Sequence, residues 1–272
     1  MFRYLVAAEW EPVWLRADGF FQAADGTFHH DDLKTPLESL DGVFVLSLCD
    51  ESDVALFSWR LSILQEIARS GIHVEPDPFR IESAWDPVRM QLRLRSAQLE
   101  TLPTFLGESL EDAALFAKDR ECLYRPPQGE IHPNFVKIEA SEDPRPRLAN
   151  LWQQHADGPF LLVHPPEGLF LTILCIQGEA LGAISWNLTQ SPTSRTKEVL
   201  TEKEFALAAQ AAEAFSLSVC GVDIVRTPEG PKVLSVRIHG VLDAFSLGHP
   251  RFESWITEAM QALFADVESS HA

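Results

Sequence analysis

The stretch VCGVDIVRTPEGPKVLSVRI, residues 219–238, decides the fold. Two runs rich in Val, Ile and Leu flank T-P-E-G-P, whose prolines and glycine break a ladder and reverse the chain, so the stretch reads as a strand hairpin. Side chains alternate between faces along a strand, which makes Asp223 and Arg237 oppositely charged neighbours on the paired strands, an ordinary stabilising cross-strand pair. Just upstream, Thr201-Glu-Lys-Glu204 is a capping box that starts an alanine-rich helix through FALAAQAAEAFSL. Further out, FLLVHPP, LFLTILCIQ and ALGAISWNL are apolar runs with Pro, Glu or Gly between them, and QGEA at 177–180 is a turn. These three runs predict an antiparallel meander, followed by a loop over 189–197.

The N-terminal part has a different rhythm. A strand is expected over 2–7. GVFVLSL (42–48) predicts a buried strand, 54–70 a helix with Leu56, Trp59, Ile63 and Ile67 at helical spacing, and IHVEPDP a second strand. That order is β-α-β, a parallel pair joined by a crossover helix. Beyond it, 80–99 has helical composition interrupted by Pro87, LPTFLG leads into a strand, and 110–118 is helical. ECLYRPP and FVKIEA read as strands, 148–155 as a helical turn or two, and 252–267 as a last helix. The expected fold class is α/β: a small N-terminal α/β domain over 1–82, then paired α+β lobes over 83–268.

Composition narrows the function. The chain has 272 residues, 46% of them hydrophobic, and a formal net charge of −18. Such a charge repels phosphate backbones and anionic lipid surfaces, so neither nucleic acid nor membrane is expected as a partner. Cys49, Cys122, Cys175 and Cys220 stand far apart with no C-x-x-C pair, as reduced core thiols do in the cytosol. The N-terminal MFRYLVAAEW lacks the basic-then-apolar pattern of a signal peptide, and a cytoplasmic location is expected. No G-x-S-x-G, Walker A or H-E-x-x-H motif is present. His29-His30-Asp31-Asp32 has metal-ligand residue types, but consecutive side chains diverge on a strand, and a solvated loop is the expectation there.

The order of these signals resembles the ATP-grasp superfamily, in the arrangement of ribosomal-protein glutamate ligases and glutathione synthetases. GVDIV (221–225), a charged turn and VLSV resemble that family's C-terminal core, in which a GVD strand is followed by an E-V-N strand. AWDP (84–87) and LPTF (102–105) resemble its D-K helix and P-x-T linker strand. ECLYRPPQG is similar to the strand carrying a nucleotide lysine, and LFLTILCIQGEALGAISWN to its strand pair with a glycine turn. The resemblance implies an ATP-grasp-like fold, ATP as cofactor, and a magnesium site made from an Asp-Glu-Asn set.

The departures fall on that chemistry. Pro87 stands at the D-K lysine position, Arg125 at the second lysine position, and Ile173 near the central arginine position. E-V-N becomes Ser235-Val236-Arg237, so Asp223 alone remains of the magnesium ligands. Replacing Glu by Ser and Asn by Arg removes a negative charge and adds a positive one where a dication needs hard anionic oxygens, so magnesium fits this set poorly. The expected cofactor-contacting residues are Arg125, Asp223 and Arg237, with Asp223 as the one metal contact. A guanidinium at 237 can bind phosphate or carboxylate by its planar fork. Arg89, Arg93 and Arg95 could supply further positive charge or form a wet helix face; His239 could border the same cleft.

The resulting function is a degenerate ATP-grasp-like protein, impaired as a ligase. It would bind a nucleotide or small acidic molecule, or act as an accessory subunit beside a partner ligase and its peptide substrate. Two alternatives stand beside it. One is an active, divergent carboxylate–amine ligase that rebuilds its site from Arg125, Asp223, Glu130 and Asp243. The other is a protein-interaction scaffold that presents PPQGEIHPNF and some of the 7 tryptophans.

Overall fold

The structure is a computed structural model. It describes residues 19–45, 54–125, 136–154, 159–165, 168–186 and 196–238, with positions 13, 15, 48, 245, 254, 255 and 257. The expected strand over 2–7 lies outside the described residues. So do most of the 189–197 loop and the last helix, apart from Ser254, Trp255 and Thr257, which are helical.

The N-terminal part contains a short hairpin, β1 (Phe20–Gln22) and β2 (Phe28–His30), then β3 (Gly42–Phe44), α1 (Val54–Arg69) and β4 (His73–Glu75). β3 and β4 are parallel, with α1 as the crossover. The buried face of α1 is Phe57, Leu61, Ile63, Leu64 and Ile67, whereas Leu56 and Trp59 are exposed. The helix is apolar around much of its girth, and the face that meets the neighbouring helices wins. His29 and His30 lie on β2 and not in a loop. His30 is buried, edge-on to Phe20 with ring centroids 4.7 Å apart. Its backbone is paired with Phe20 in the two-stranded ladder.

The expected helix over 80–99 is two helices, α2 (Pro78–Trp85) and α3 (Pro87–Ser96). Each begins with proline at a position whose N–H has no helical partner, and each is capped by the aspartate before it. Asp86 accepts from the Val88 and Arg89 amides at 2.8 and 3.1 Å. Its extended backbone ends one helix and starts the next.

The remaining chain forms two larger sheets. β5 (Thr104–Gly107), α4 (Leu110–Ala117), β6 (Cys122–Arg125), β7 (Val136–Ile138), α5 (Arg145–Gln154) and β8 (Phe160–Val163) build a four-stranded sheet of order β5-β8-β6-β7 with two helices on one face. β9 (Leu169–Ile176), β10 (Glu179–Trp186), β11 (Thr196–Glu198), α6 (Glu202–Phe215), β12 (Val219–Thr227) and β13 (Gly230–Arg237) build a five-stranded antiparallel sheet of order β11-β10-β9-β12-β13. This is an α+β architecture. α5 starts three residues before the expected turn, at Arg145, and β11 is a strand within the segment expected to be loop.

The meander expectation is corrected here. β9 and β10 do form a hairpin, closed by Gln177 and Gly178 at φ 50° and 79°, the left-handed pair of a two-residue turn. FLLV instead belongs to the other sheet, where β8 lies between β5 and β6. Pro165 carries no N–H to extend a ladder, and Gly168 passes so close to β12 that a Cβ there would lie 2.3 Å from the Arg226 carbonyl oxygen.

The largest core runs from Leu37 and α1 through α2 and α3 to α6 and one face of the five-stranded sheet, including Leu171, Ile173, Val222, Ile224 and Val236. Fully burying one such side chain contributes roughly 1.5–3 kcal/mol. A smaller cluster of Leu102, Val163, Phe170, Trp186, Val225 and Leu234 joins the other face of that sheet to the four-stranded sheet. No helix among the described residues is long and apolar enough to cross a membrane.

Candidate functional site

β9, β12 and β13 place Thr172, Asp223 and Ser235 in one row, because Asp223 is register partner to both of the others. Arg237 lies two residues further along β13, opposite Gly221, on the same face. All four side chains are buried, with Asp223 fully inaccessible and Arg237 at 4% exposure. Thr172 Oγ1 donates to Asp223 Oδ1 at 2.6 Å, and Ser235 Oγ donates to Oδ2 at 2.7 Å. Arg237 Nη2 donates to Oδ1 at 3.2 Å and to Thr172 Oγ1 at 2.9 Å, while its Nε lies 3.0 Å from Oδ2. A carboxylate offers about four lone-pair positions. Three of those of Asp223 accept from protein donors and the Arg237 Nε lies close by, an arrangement that suits a buried charge.

Arg125 extends this cluster from the opposite sheet. Cys122 and Tyr124 of β6 face α4 and α5, so Leu123 and Arg125 take the other face, toward the five-stranded sheet. Arg125 is 5% exposed; among the described residues its one polar contact is Nη1 to Met90 Sδ at 4.0 Å, and Nε has no hydrogen-bond partner there. Burial pushes its guanidinium down to about 9, against the pull of the Asp223 and Asp86 carboxylates. Met90 belongs to α3 and also accepts the Val236 amide at 3.4 Å, closing the open edge of β13. The site therefore holds two guanidinium groups against one buried carboxylate.

The expected residues Arg125, Asp223 and Arg237 thus meet in one place. Other candidates lie elsewhere. Arg89 pairs with Glu82 and Asp86 on the exposed helix face. Arg93 donates to the Ala214 carbonyl and lies over the Phe215 ring, and Arg95 donates to the Thr104 carbonyl at 3.1 Å. Ile173 points into the helix-side core. Glu130, His239 and Asp243 fall outside the described residues. No group of three or more His, Cys, Asp or Glu side chains among the described residues could hold a metal ion. The partners that sequence reasoning missed are Thr172 and Met90. Alternation along LFLTILCI does put Thr172 on the face opposite Leu171 and Ile173; Met90 has no comparable signal.

No family model matches the sequence, and no curated protein matches it. The structure does match solved proteins. A Chryseobacterium gregarium RiPP-associated ATP-grasp ligase, in complex with ADP and a leader and core peptide, superposes with a TM-score of 0.70 at 15% identity, over 97% of this chain and 91% of that one. The macrocyclase MdnC bound with precursor peptide MdnA from Microcystis aeruginosa MRC gives 0.69 at 16% identity, over 97% and 94%. The D-cycloserine synthetase DcsG gives 0.66 at 16% identity, over 84% and 86%. At these identities the likeness is one of fold.

Proposed function

We propose that this chain, whose fold is that of the ATP-grasp ligases, uses arginine where a ligase would use magnesium: it binds the phosphate groups of a nucleotide at Arg125 and Arg237 and does not ligate. The observation that carries this reading is the state of Asp223. Its carboxylate is fully buried and engaged by Thr172, Ser235 and Arg237. A magnesium ion takes oxygen ligands at about 2.0–2.1 Å in near-octahedral order, and the charge beside Asp223 is already positive. Phosphoryl transfer in this chemistry depends on metal ions that neutralise charge developing on the phosphates, so a site without them holds a phosphate chain and leaves it intact.

Arg125 supplies the affinity in this reading. A desolvated guanidinium with one sulfur contact gains charge-assisted hydrogen bonds when an anion reaches it, and its planar fork matches two phosphate oxygens. At 5% exposure it is reached after a local parting of the two sheets. The ADP complex of the Chryseobacterium gregarium protein supports a nucleotide as the anion.

Thermal-shift titration with ATP and ADP, each with Mg²⁺ and with EDTA, tests this. The expected result is a shift of equal size in both conditions that disappears in Arg125→Met, together with no ADP release from ATP. A shift that requires Mg²⁺ and is lost in Asp223→Asn overturns it in favour of a working ligase site. The absence of any nucleotide shift overturns it in favour of a scaffold.

A further inference from the structure

A second site lies on the opposite, helix-bearing face of the four-stranded sheet. There a cavity of about 430 Å³ is bounded by Pro103, Leu115 and Phe116 on its apolar side and by Lys118, Arg120 and His164 on its polar side. That volume falls in the range of small-molecule sites, roughly 300–1,000 Å³. His164 follows Val163 of β8 and alternates onto the α4 face, where its Nδ1 lies 3.4 Å from Cys122 Sγ. The cavity is therefore separate from Arg125, which leaves the other face of the same sheet.

The His164 ring and the backbone of the turn that carries Lys118 and Arg120 are held in place, while the two cationic side chains are exposed. The His164 ring stacks on Phe116, with centroids 4.1 Å apart and planes 18° apart. Its Nδ1 lies 3.3 Å from the Glu121 carbonyl oxygen as well as near the Cys122 thiol, and Nε2 has no partner among the described residues. The turn after α4 is anchored by its backbone: Asp119 donates to the Ser141 carbonyl at 2.9 Å and Arg120 to the Ala117 carbonyl at 3.3 Å. Asp119, at φ 56°, also borders the cavity and offsets one of the two cations.

Charge and exposure give the ligand class. In a chain of net charge −18, the neighbouring Lys137 and Arg145 are all paired with carboxylates. Lys118 and Arg120 form no ion pair among the described residues, and Leu115 beside them is 72% exposed. Two cations that form no ion pair among the described residues, only partly offset by Asp119, next to a stacked aromatic wall ask for an anion with a flat apolar body. Burial pushes the Cys122 thiol up to about 11, which keeps it protonated at neutral pH.

We infer that this cavity binds a small aromatic carboxylate, with its ring against Leu115 and the Phe116–His164 stack and its carboxylate between Lys118 and Arg120. Isothermal titration of the full chain with indole-3-acetate, and with the neutral indole-3-acetamide, tests it. The expected result is saturable binding of the acid, weakened at least about tenfold for the amide and by a similar factor in Lys118→Glu/Arg120→Glu. Arg125→Met leaves this binding unchanged. The charge-reversed pair lies on the surface, and an unaltered melting profile confirms that it folds. Equal binding of acid and amide, full retention in the double variant, or no saturable binding up to about 10 mM overturns the inference. Equally tight binding of inorganic phosphate overturns the aromatic part of it.

Discussion

Replacing Arg125 by methionine should stabilise the protein. The substitution removes a guanidinium that is 5% exposed and touches one sulfur, and it keeps an unbranched side chain beside Met90. Burial lowers this group from the ordinary arginine value to about 9; at about 1.36 kcal/mol for each tenfold change in proton affinity, the charge costs up to about 5 kcal/mol in the folded state. That cost is already net of the attraction to Asp223 and Asp86, and exchanges of buried charge for apolar groups typically gain about 1–4 kcal/mol. For a chain of this size each kcal/mol moves Tm by roughly 2–4 °C, so a rise between about 2 and 15 °C is expected at pH 7. The sign of the pH dependence follows. From about 9 up to the ordinary arginine range the unfolded state holds a proton on Arg125 that the folded state has released, so wild-type stability rises with pH across that window. The advantage of Arg125→Met should be full below pH 9 and shrink as pH rises from 9 toward 11. Urea denaturation of both proteins at pH 7, 9 and 10.5 measures it. A variant that is less stable than wild type at pH 7, or a difference that does not change with pH, refutes the account of Arg125 as a desolvated cation held for binding.

Asp223→Asn should act in the opposite direction, costing about 3–5 kcal/mol in urea denaturation, because it leaves Arg237 buried against a neutral amide; a loss below about 1 kcal/mol would show that the pair is solvated. Rebuilding the acidic set with Ser235→Glu/Arg237→Asn should make nucleotide-induced thermal shifts depend on Mg²⁺, and a double variant whose shifts ignore the metal counts against Asp223 marking a vestigial metal position. Gly168→Ala should lower stability by about 1–3 kcal/mol, since its Cβ meets the Arg226 carbonyl at 2.3 Å and one of the two strands must shift; an unchanged urea midpoint would show that the crossing has slack.

The parts of the fold legible in the sequence are those specified by neighbours along the chain. The β12–β13 hairpin follows from alternation around a Pro/Gly turn, and it brings Asp223 and Arg237 together within one turn of sequence. The start of α6 follows from Thr201 and Glu204, which exchange both capping hydrogen bonds. What was not legible depends on distant partners. Thr172 meets Asp223 from 51 residues away and Met90 meets Val236 from 146, and no local pattern encodes either. The division of FLLV from LFLTILCI into different sheets was hidden for a related reason: apolar alternation gives a strand two faces but does not name its neighbours. On α1, helical spacing fitted Leu56 and Trp59 as well as Phe57 and Leu64, and tertiary packing chose between them.

The core that runs from Leu37 to Ile238 has a consequence for how the chain acquires its structure in a cell. During synthesis the apolar faces of α1, α2 and α3 emerge long before the strands that cover them, and the edge of β13 that takes up Met90 and Glu100 comes later still. Contacts so far apart in sequence are slow to close, and until they do the nascent chain presents an uncovered apolar helical surface. A ribosome stalled before codon 219 would therefore hold a chain whose four-stranded sheet, 104–163, is already complete while the helical side of the larger core is still uncovered.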